Sequence, residues 1–258
     1  MDFVGSSLPL SQDGLQRCTT LLGVGEAAIW TLLSVETKSC GFLPDRRPLI
    51  LFERHIFHKQ TDGAFDASHP AISSPTPGGY EGGAKEYDRL ARAIALNREA
   101  ALNSASWGIG QVMGFNSKLA GFATVESMVE AMQSGEDGQL TAVASFLKGR
   151  RLHLALAARD WPRFAAGYNG PDFHKNQYDT RLSAAFAAYS TGTTPNIKVR
   201  QAQVILMMLG RDVGSIDGIL GKRTRSAAAD FRIQRGLPPS DVIDEPLISA
   251  LVQQLKSH

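Results

Sequence analysis

Apolar residues recur at three- and four-residue spacings over Glu26 to Glu36, Ala84 to Leu102, Thr124 to Met132 and Gln139 to Leu147, a period that predicts helices. Leu49 to Phe57 is instead one apolar run rich in Ile, Leu and Phe and suits a strand. Two tracts carry no periodicity. Ser68 to Gly83 contains HPAISSPTPGGYEGG, whose Pro and Gly density forbids a regular element, and so long a loop in a compact domain often lines a cleft. Tyr189 to Asn196 reads YSTGTTPN, the composition of a linker. Beyond it the helical period returns. Ala202, Ile205, Leu206 and Leu209 share one face, as do Ala227, Ala228 and Phe231. Asp244 as N-cap with Pro246 in the first turn announces a helix striped by Leu247, Ile248, Leu251, Val252 and Leu255. The pattern predicts an α+β, mainly helical chain with a small sheet in residues 1–190, a linker at 191–196, and a small three-helix domain in 197–258.

Composition narrows the class. With 43% hydrophobic and 20% charged residues the chain reads as a globular protein able to bury at least one full core. No basic stretch leads into a long apolar run, so neither a signal peptide nor a membrane span is expected, and synthesis in the cytoplasm follows. The net charge of +2 is uneven: from Ile197 onward nine Lys and Arg face six Asp and Glu. Such a tail is drawn to an anionic polymer, but the excess is small and forms no stripe, which argues against nucleic acid. Cys18 and Cys40 are expected as buried thiols rather than a bridge or metal ligands. No cofactor or metal is expected either, because His55 and His58, if on a strand, point to opposite faces.

Candidate chemistry begins at Glu36, which continues the stripe Ile29, Leu32, Leu33 of its helix. A carboxyl on an apolar face loses solvation in its charged form, so it can stay protonated and act as a general acid; the alternative is a frayed helix end with a solvated side chain. Strand alternation puts Glu53 on one face with Leu51 and His55, where it is either half of a structural ion pair or a second working carboxylate. Glycoside hydrolysis commonly needs two carboxyls, and Glu36 with Glu53 is the best pair. Two clusters suit a saccharide: ASWGIGQVMGFN, where Ser106, Gln111 and Asn116 offer hydrogen bonds beside Trp107 and glycines Gly108 and Gly110 permit close approach, and GYNGPD, a turn presenting Tyr168 and Asn169.

These segments carry a resemblance. In order, SVET, LFERHIFHK, AALNSASWGIGQVMGFN and FAAGYNGPDFHKNQYDTRLSAAF, spread over Leu21 to Tyr189, closely resemble the N-acetylmuramidase family of modular phage and prophage endolysins. More distantly they are similar to goose-type lysozymes and lytic transglycosylases. The resemblance implies a lysozyme-like α+β fold and cleavage of the β-1,4 bond between N-acetylmuramic acid and N-acetylglucosamine in peptidoglycan. It implies that Glu36 is the catalytic acid, that Gly108 and Gln111 form a Gly-x-x-Gln motif, and that Tyr168 and Asn169, with Ser106, bind substrate. The role of Glu53 stays open, since the distant relatives share no fixed second carboxylate. The tail resembles a three-helix peptidoglycan-binding domain through VRQAQVILMMLG, IDGILGKRT and AAADFRIQRGL, which points to Asp217, Gly218 and Thr224; Ser240-Asp241-Val242 departs from that family's second Asp-Gly. A monomer is expected, made in the host cytoplasm and released to the wall by a separate membrane-disrupting partner. A lytic transglycosylase and a non-catalytic wall-binding protein are the competing readings. The two-domain division implies that residues up to about Thr194 fold alone and keep activity.

Overall fold

The computed structural model describes residues 2–36, 40–192 and 194–257; the side chain of Glu36 lies outside that description. The N-terminal part opens with α1 (Gln12–Leu22), capped by the Ser11 hydroxyl, which accepts from the Gly14 N–H. It turns at Gly23, whose φ of 67° is left-handed, into α2 (Glu26–Glu36). There follow β1 (Ile50–Phe52), α3 (Arg54–Gln60), α4 (Glu86–Leu96), α5 (Arg98–Asn103), β2 (Ala105–Trp107), β3 (Val112–Met113), α6 (Val125–Ser134), α7 (Glu136–Gly149), α8 (Leu152–Ala158), α9 (Trp161–Asn169) and α10 (Tyr178–Thr191). The strands form one antiparallel sheet in the order β1-β2-β3, with Leu51 opposite Ser106 and Ser106 opposite Met113. Ile29, Leu32 and Leu33, the predicted stripe of α2, are buried in a core shared with Leu15 and Leu22 of α1, Leu140 and Leu147 of α7, and Leu182 of α10. Among the described residues, no single helix is long and apolar enough to cross a membrane.

Three local expectations change. The apolar run from Leu49 is strand only to Phe52, because Glu53 then serves as the residue before α3 and its carbonyl accepts from the Ile56 and Phe57 N–H groups. His55 and His58 consequently lie one turn apart on a helix, and the opposite-face argument against them lapses. Each instead faces a carboxylate: His58 Nδ1 is 2.7 Å from Asp66 and His55 Nδ1 is 3.1 Å from Glu53. The predicted helix from Ala84 to Leu102 breaks at Asn97, whose extended backbone ends α4 and whose side chain accepts from the Ala100 N–H to start α5. Finally, ASWGIGQVMG, expected to present Trp107 beside its amides, is a hairpin of β2 and β3. Trp107 is fully buried there, its indole donating to the Leu102 carbonyl at 3.1 Å, so it offers no platform to a sugar.

The C-terminal unit consists of α11 (Ile197–Met208), α12 (Lys222–Arg235) and α13 (Glu245–Lys256). Asp244 caps α13 as expected, accepting from Leu247 N–H at 3.0 Å, and also accepts from Arg232 at 2.6 Å. Its apolar stripes converge on a second core of Ala202, Ile205, Leu206, Phe231, Leu247, Leu251 and Leu255, which also takes in Cys40 and Phe42 from the N-terminal part. Both cysteines are buried, Cys18 in the first core and Cys40 in the second, where its thiol donates to the Phe42 carbonyl at 3.2 Å.

A charged contact joins the two parts. Arg200 of α11 reaches Glu136, the first residue of α7, with both terminal nitrogens: Nη2 donates to Oε1 at 2.8 Å and Nη1 donates to Oε2. The side chains are 1% and 0% exposed. Glu136 also accepts from the Gly41 N–H and the Leu10 N–H, each at 2.9 Å. Burial alone would raise the carboxyl's pKa, but the guanidinium and the two amides outweigh it and hold it below its ordinary value of 4.5. Ending the chain near Thr194 would therefore leave this buried carboxylate without its cation. We expect Arg200→Met to destabilise the full chain by about 3–5 kcal/mol, with Arg200→Met/Glu136→Gln recovering part of that loss, as read by urea unfolding. A single variant as stable as the parent would show that the pair contributes nothing to holding the two parts together.

Candidate active site

The hairpin turn between β2 and β3 and the end of α9 meet at a cavity of about 350 Å³ lined by residues that include Gly110, Gln111, Asn116, Phe146, Tyr168, Asn169 and Tyr178. Gly108 and Gln111 build the turn. Gly108 has φ 67°, and a side chain there would meet Gln139 at 2.8 Å. Gln139 is itself buried, accepting from the Ile109 N–H at 2.8 Å and donating to the carbonyls of Met132 at 2.8 Å and Gly41 at 3.3 Å. Gln111 takes the left-handed φ of 49°, and its amide locks the turn shut: Nε2 donates to the carbonyls of Gly108 at 2.9 Å and Leu49 at 3.2 Å, while Oε1 accepts from Ser106 at 2.9 Å. Ser106 and Gln111 thus bond to one another, and Ser106, only 6% exposed, supports the cavity from behind. On the opposite wall the Tyr168 ring stacks on Phe164 and its hydroxyl donates to the Gly110 carbonyl at 2.8 Å, bridging α9 to the turn. Asn169 follows at the last position of α9, before Gly170 with φ 86° breaks the helix.

The end of α2 packs beside α10, whose first residue, Tyr178, lines this cavity. Arg181 of α10 donates to the Val35 carbonyl at 3.4 Å, and its guanidinium lies 5.4 Å from the ring centre of Tyr178, which lines the cavity. Val35 is the residue before Glu36. The side-chain geometry of Glu36 lies outside the described residues, so its distance from Glu53 is not part of the site geometry.

Glu53 stands at the end of β1, its N–H donating to the Ser104 carbonyl at 2.9 Å. Its Oε2 accepts from the Tyr80 hydroxyl at 2.8 Å, and Tyr80 belongs to the Pro- and Gly-rich tract expected to line a cleft. Burial, then the bond to Glu53, pushes the Tyr80 hydroxyl's pKa up, so it remains a donor. Leu49, tied to Gln111, and Glu53 are four residues apart along this segment, about 13 Å if fully extended. The sheet therefore spans from the amide turn to the second carboxylate.

A pair the sequence reading passed over holds this end together. Glu86 and Arg89 are fully buried on α4, 2.7 Å apart. Glu86 accepts from the N–H groups of Phe52 at 3.1 Å, Glu81 at 2.7 Å and Gly82 at 2.9 Å, while Arg89 donates to the carbonyls of Phe52 at 2.8 Å and Gly78 at 3.4 Å. The pair clamps the residue before Glu53 to both sides of Tyr80. The signal was available: Glu86, Arg89 and Ala93 sit on the buried stripe of α4, the same argument that singled out Glu36.

The three residues proposed for wall contact are arranged differently. Thr224 is buried, donating to the Val213 carbonyl at 3.0 Å, and Gly218 is buried with its carbonyl accepting from the Asn196 N–H at 2.9 Å. Asp217 accepts from Gln203 Nε2 at 3.1 Å and from the Ile219 N–H at 2.9 Å. Thr224 and Gly218 build the fold of the C-terminal unit and offer no surface to a polymer, and Asp217 is engaged in the same loop. A separate cavity of about 630 Å³, lined by Arg17, Cys18, Leu21 and Thr141 among others, contains none of the cleft residues. Among the described residues no cluster of three His, Cys, Asp or Glu is placed to hold a metal.

A helical body, a short antiparallel sheet and a cavity walled by amides and aromatic rings are the features of a lysozyme-like fold. The N-acetylmuramidase family model matches residues 25–190, which include the cavity and both carboxylates but not α11 to α13. The crystal structure of the Burkholderia AP3 phage endolysin is similar at 42% identity, over 70% of this chain and 70% of that one, with a TM-score of 0.67. No curated protein matches the chain. The chain belongs to the N-acetylmuramidase family, and it is a peptidoglycan hydrolase with muramidase activity.

The Glu86 clamp has a pH signature. Burial would raise the Glu86 pKa, but the amides of Gly82, Glu81 and Phe52 and the Arg89 guanidinium outweigh it and hold it below its ordinary 4.5. The folded state then binds fewer protons than the unfolded one, so the contribution is complete above that value and is lost as pH falls beneath it. Glu86→Gln is expected to be less stable at neutral pH and to lose stability less steeply below 4.5 than the parent, in urea unfolding across pH. Parallel pH curves for the two proteins would exclude Glu86 as a source of the acid sensitivity.

Proposed function

We propose that the chain is a phage or prophage endolysin that hydrolyses the β-1,4 bond between N-acetylmuramic acid and N-acetylglucosamine, with Glu36 as general acid. The observation that carries this reading is that Gln111, Tyr168 and Asn169 line one cavity, within the segment matched by the family, and that Tyr178 of the same cavity begins the helix packed against α2. The Tyr168 ring offers an apolar face to a sugar, and Gln111, Asn116 and Asn169 line the same cavity. Glu36 gives its proton to the glycosidic oxygen as the bond from that oxygen to C1 of the muramic acid breaks. A water then adds to C1 and surrenders a proton, for which Glu53, held by Tyr80, is the assigned acceptor.

The C-terminal unit is assigned a wall-binding role and 1–190, 191–196 and 197–258 the roles of hydrolase, linker and binding domain. Support for the binding surface comes from two cavities of about 300 and 350 Å³ that share Arg211 and include Arg235 and Arg223, guanidinium groups suited to carboxylates of an anionic wall. The enzyme acts as a monomer without nucleic acid, made in the host cytoplasm and released to its substrate.

Glu36→Gln keeps the shape of the side chain and removes its proton, so turnover of purified peptidoglycan is expected to fall by about 10²–10⁴-fold with folding preserved. Glu53→Gln is expected to lose less. Mass spectrometry of the released muropeptides reads the reaction type, because hydrolysis adds one water per bond, whereas 1,6-anhydro products without added water would make the enzyme a lytic transglycosylase. A Glu36→Gln protein that clears the wall normally would sink the acid assignment.

A further inference from the structure

The chain beyond Glu36 is held at Cys40, Gly41 and Phe42, and each of the three attachments leads to the C-terminal unit. Cys40 and Phe42 are 1% and 3% exposed, packed in the core built by α11, α12 and α13. The Gly41 N–H donates to Glu136 Oε1 at 2.9 Å, and the same oxygen accepts from Arg200 Nη2 at 2.8 Å. From the other side, Gly41 meets the cavity's own frame: its carbonyl accepts from Gln139, whose Oε1 accepts from the Ile109 N–H inside the hairpin turn. Beside this, Gln201 of α11 donates to the Leu10 carbonyl at 3.0 Å, and Leu10 in turn donates to Glu136.

A unit that served only as a tether would need no such connection, since tethering works through a flexible link and gains from local concentration alone. Here the helix that begins the tail supplies Arg200, the cation paired with Glu136, and Glu136 is where Gly41 is fastened. We propose that the C-terminal unit supports the cavity: the Arg200–Glu136 pair and the seat of Cys40 and Phe42 hold Gly41 against Gln139, and Gln139 holds the hairpin turn that lines the cavity, so turnover itself depends on the tail. Arg200 and Glu136 are positioning residues in this scheme and touch no substrate. The proposal rests on this cavity being the hydrolytic site that Glu36 serves.

The test separates turnover from wall attachment by using soluble, uncross-linked glycan fragments of purified peptidoglycan with the full-length chain. Arg200→Met is compared with Arg200→Met/Glu136→Gln, which leaves no buried unpaired charge and so remains informative if the single variant does not fold. Lys198→Ala, on the same helix as Arg200, removes only an exposed pair with Glu245 of α13 and is the control. The folded latch variants are expected to lose turnover by about ten- to a hundredfold with little change in KM, the scale of a small misplacement of a reacting group. In a Cys18→Ala background, labelling of the Cys40 thiol under native conditions is expected to speed up in the same variants, and not in Lys198→Ala. Unchanged kcat in the double variant, a change confined to KM, or unchanged Cys40 labelling would each overturn the proposal. Glu36→Gln assayed alongside distinguishes the two failures: if it stays active the acid assignment falls, while Cys40 labelling still reports on the latch alone.

Discussion

Glu136 is a carboxylate with no exposed surface, and four donors from three distant stretches of chain close on it. Leu10 comes from the N-terminal segment, Gly41 from the chain after α2, and Arg200 from the first C-terminal helix. Burying a charge in this way is unfavourable unless every lone pair is met, and that requirement makes the site cooperative: each segment needs the others in place. The rest of the molecule is arranged around it. Glu136 starts α7, the helix that packs against α1 and carries Gln139 beneath the hairpin turn, so the same short stretch serves the interior, the cavity and the tail.

The second buried pair, Glu86 with Arg89, does for the Glu53 end what Glu136 does for the Gly41 end. Neither pair touches the cavity. Both bind backbone amides and carbonyls of segments that carry side chains of the site, which is how an irregular tract such as 76–82 keeps a defined shape without secondary structure. Gln111 follows the same rule on a smaller scale, closing a turn with its amide before any substrate arrives. The cavity is thus preformed by polar contacts, while the apolar cores set the distances between the elements that bear them.

The C-terminal unit and the muramidase part are therefore linked by more than composition would suggest. YSTGTTPN has the look of a free linker, yet the helix that follows it is anchored by Arg200 and Gln201 against the N-terminal part. Two cores are present, but Cys40 and Phe42 belong by sequence to one part and by packing to the other.

Local spacing determined much of this by itself. The stripe of α2, the Asp244 cap, the C-terminal helices and the segments that carry Gln111, Tyr168 and Asn169 follow from nearest-neighbour periodicity and side-chain chemistry, which act within a few residues. Only the tertiary structure decided where the run after Phe52 stops being strand, because pairing with Ala105 to Trp107 ends there and Glu53 is free to start a helix. It likewise buried Trp107, turned Ser106 and Gln111 toward each other, and put Thr224 and Gly218 in the interior. The ion pairs lay furthest from view. Arg200 and Glu136 are 64 residues apart, and nothing in either one's neighbourhood says that a charge on one helix will be cancelled by a charge on another.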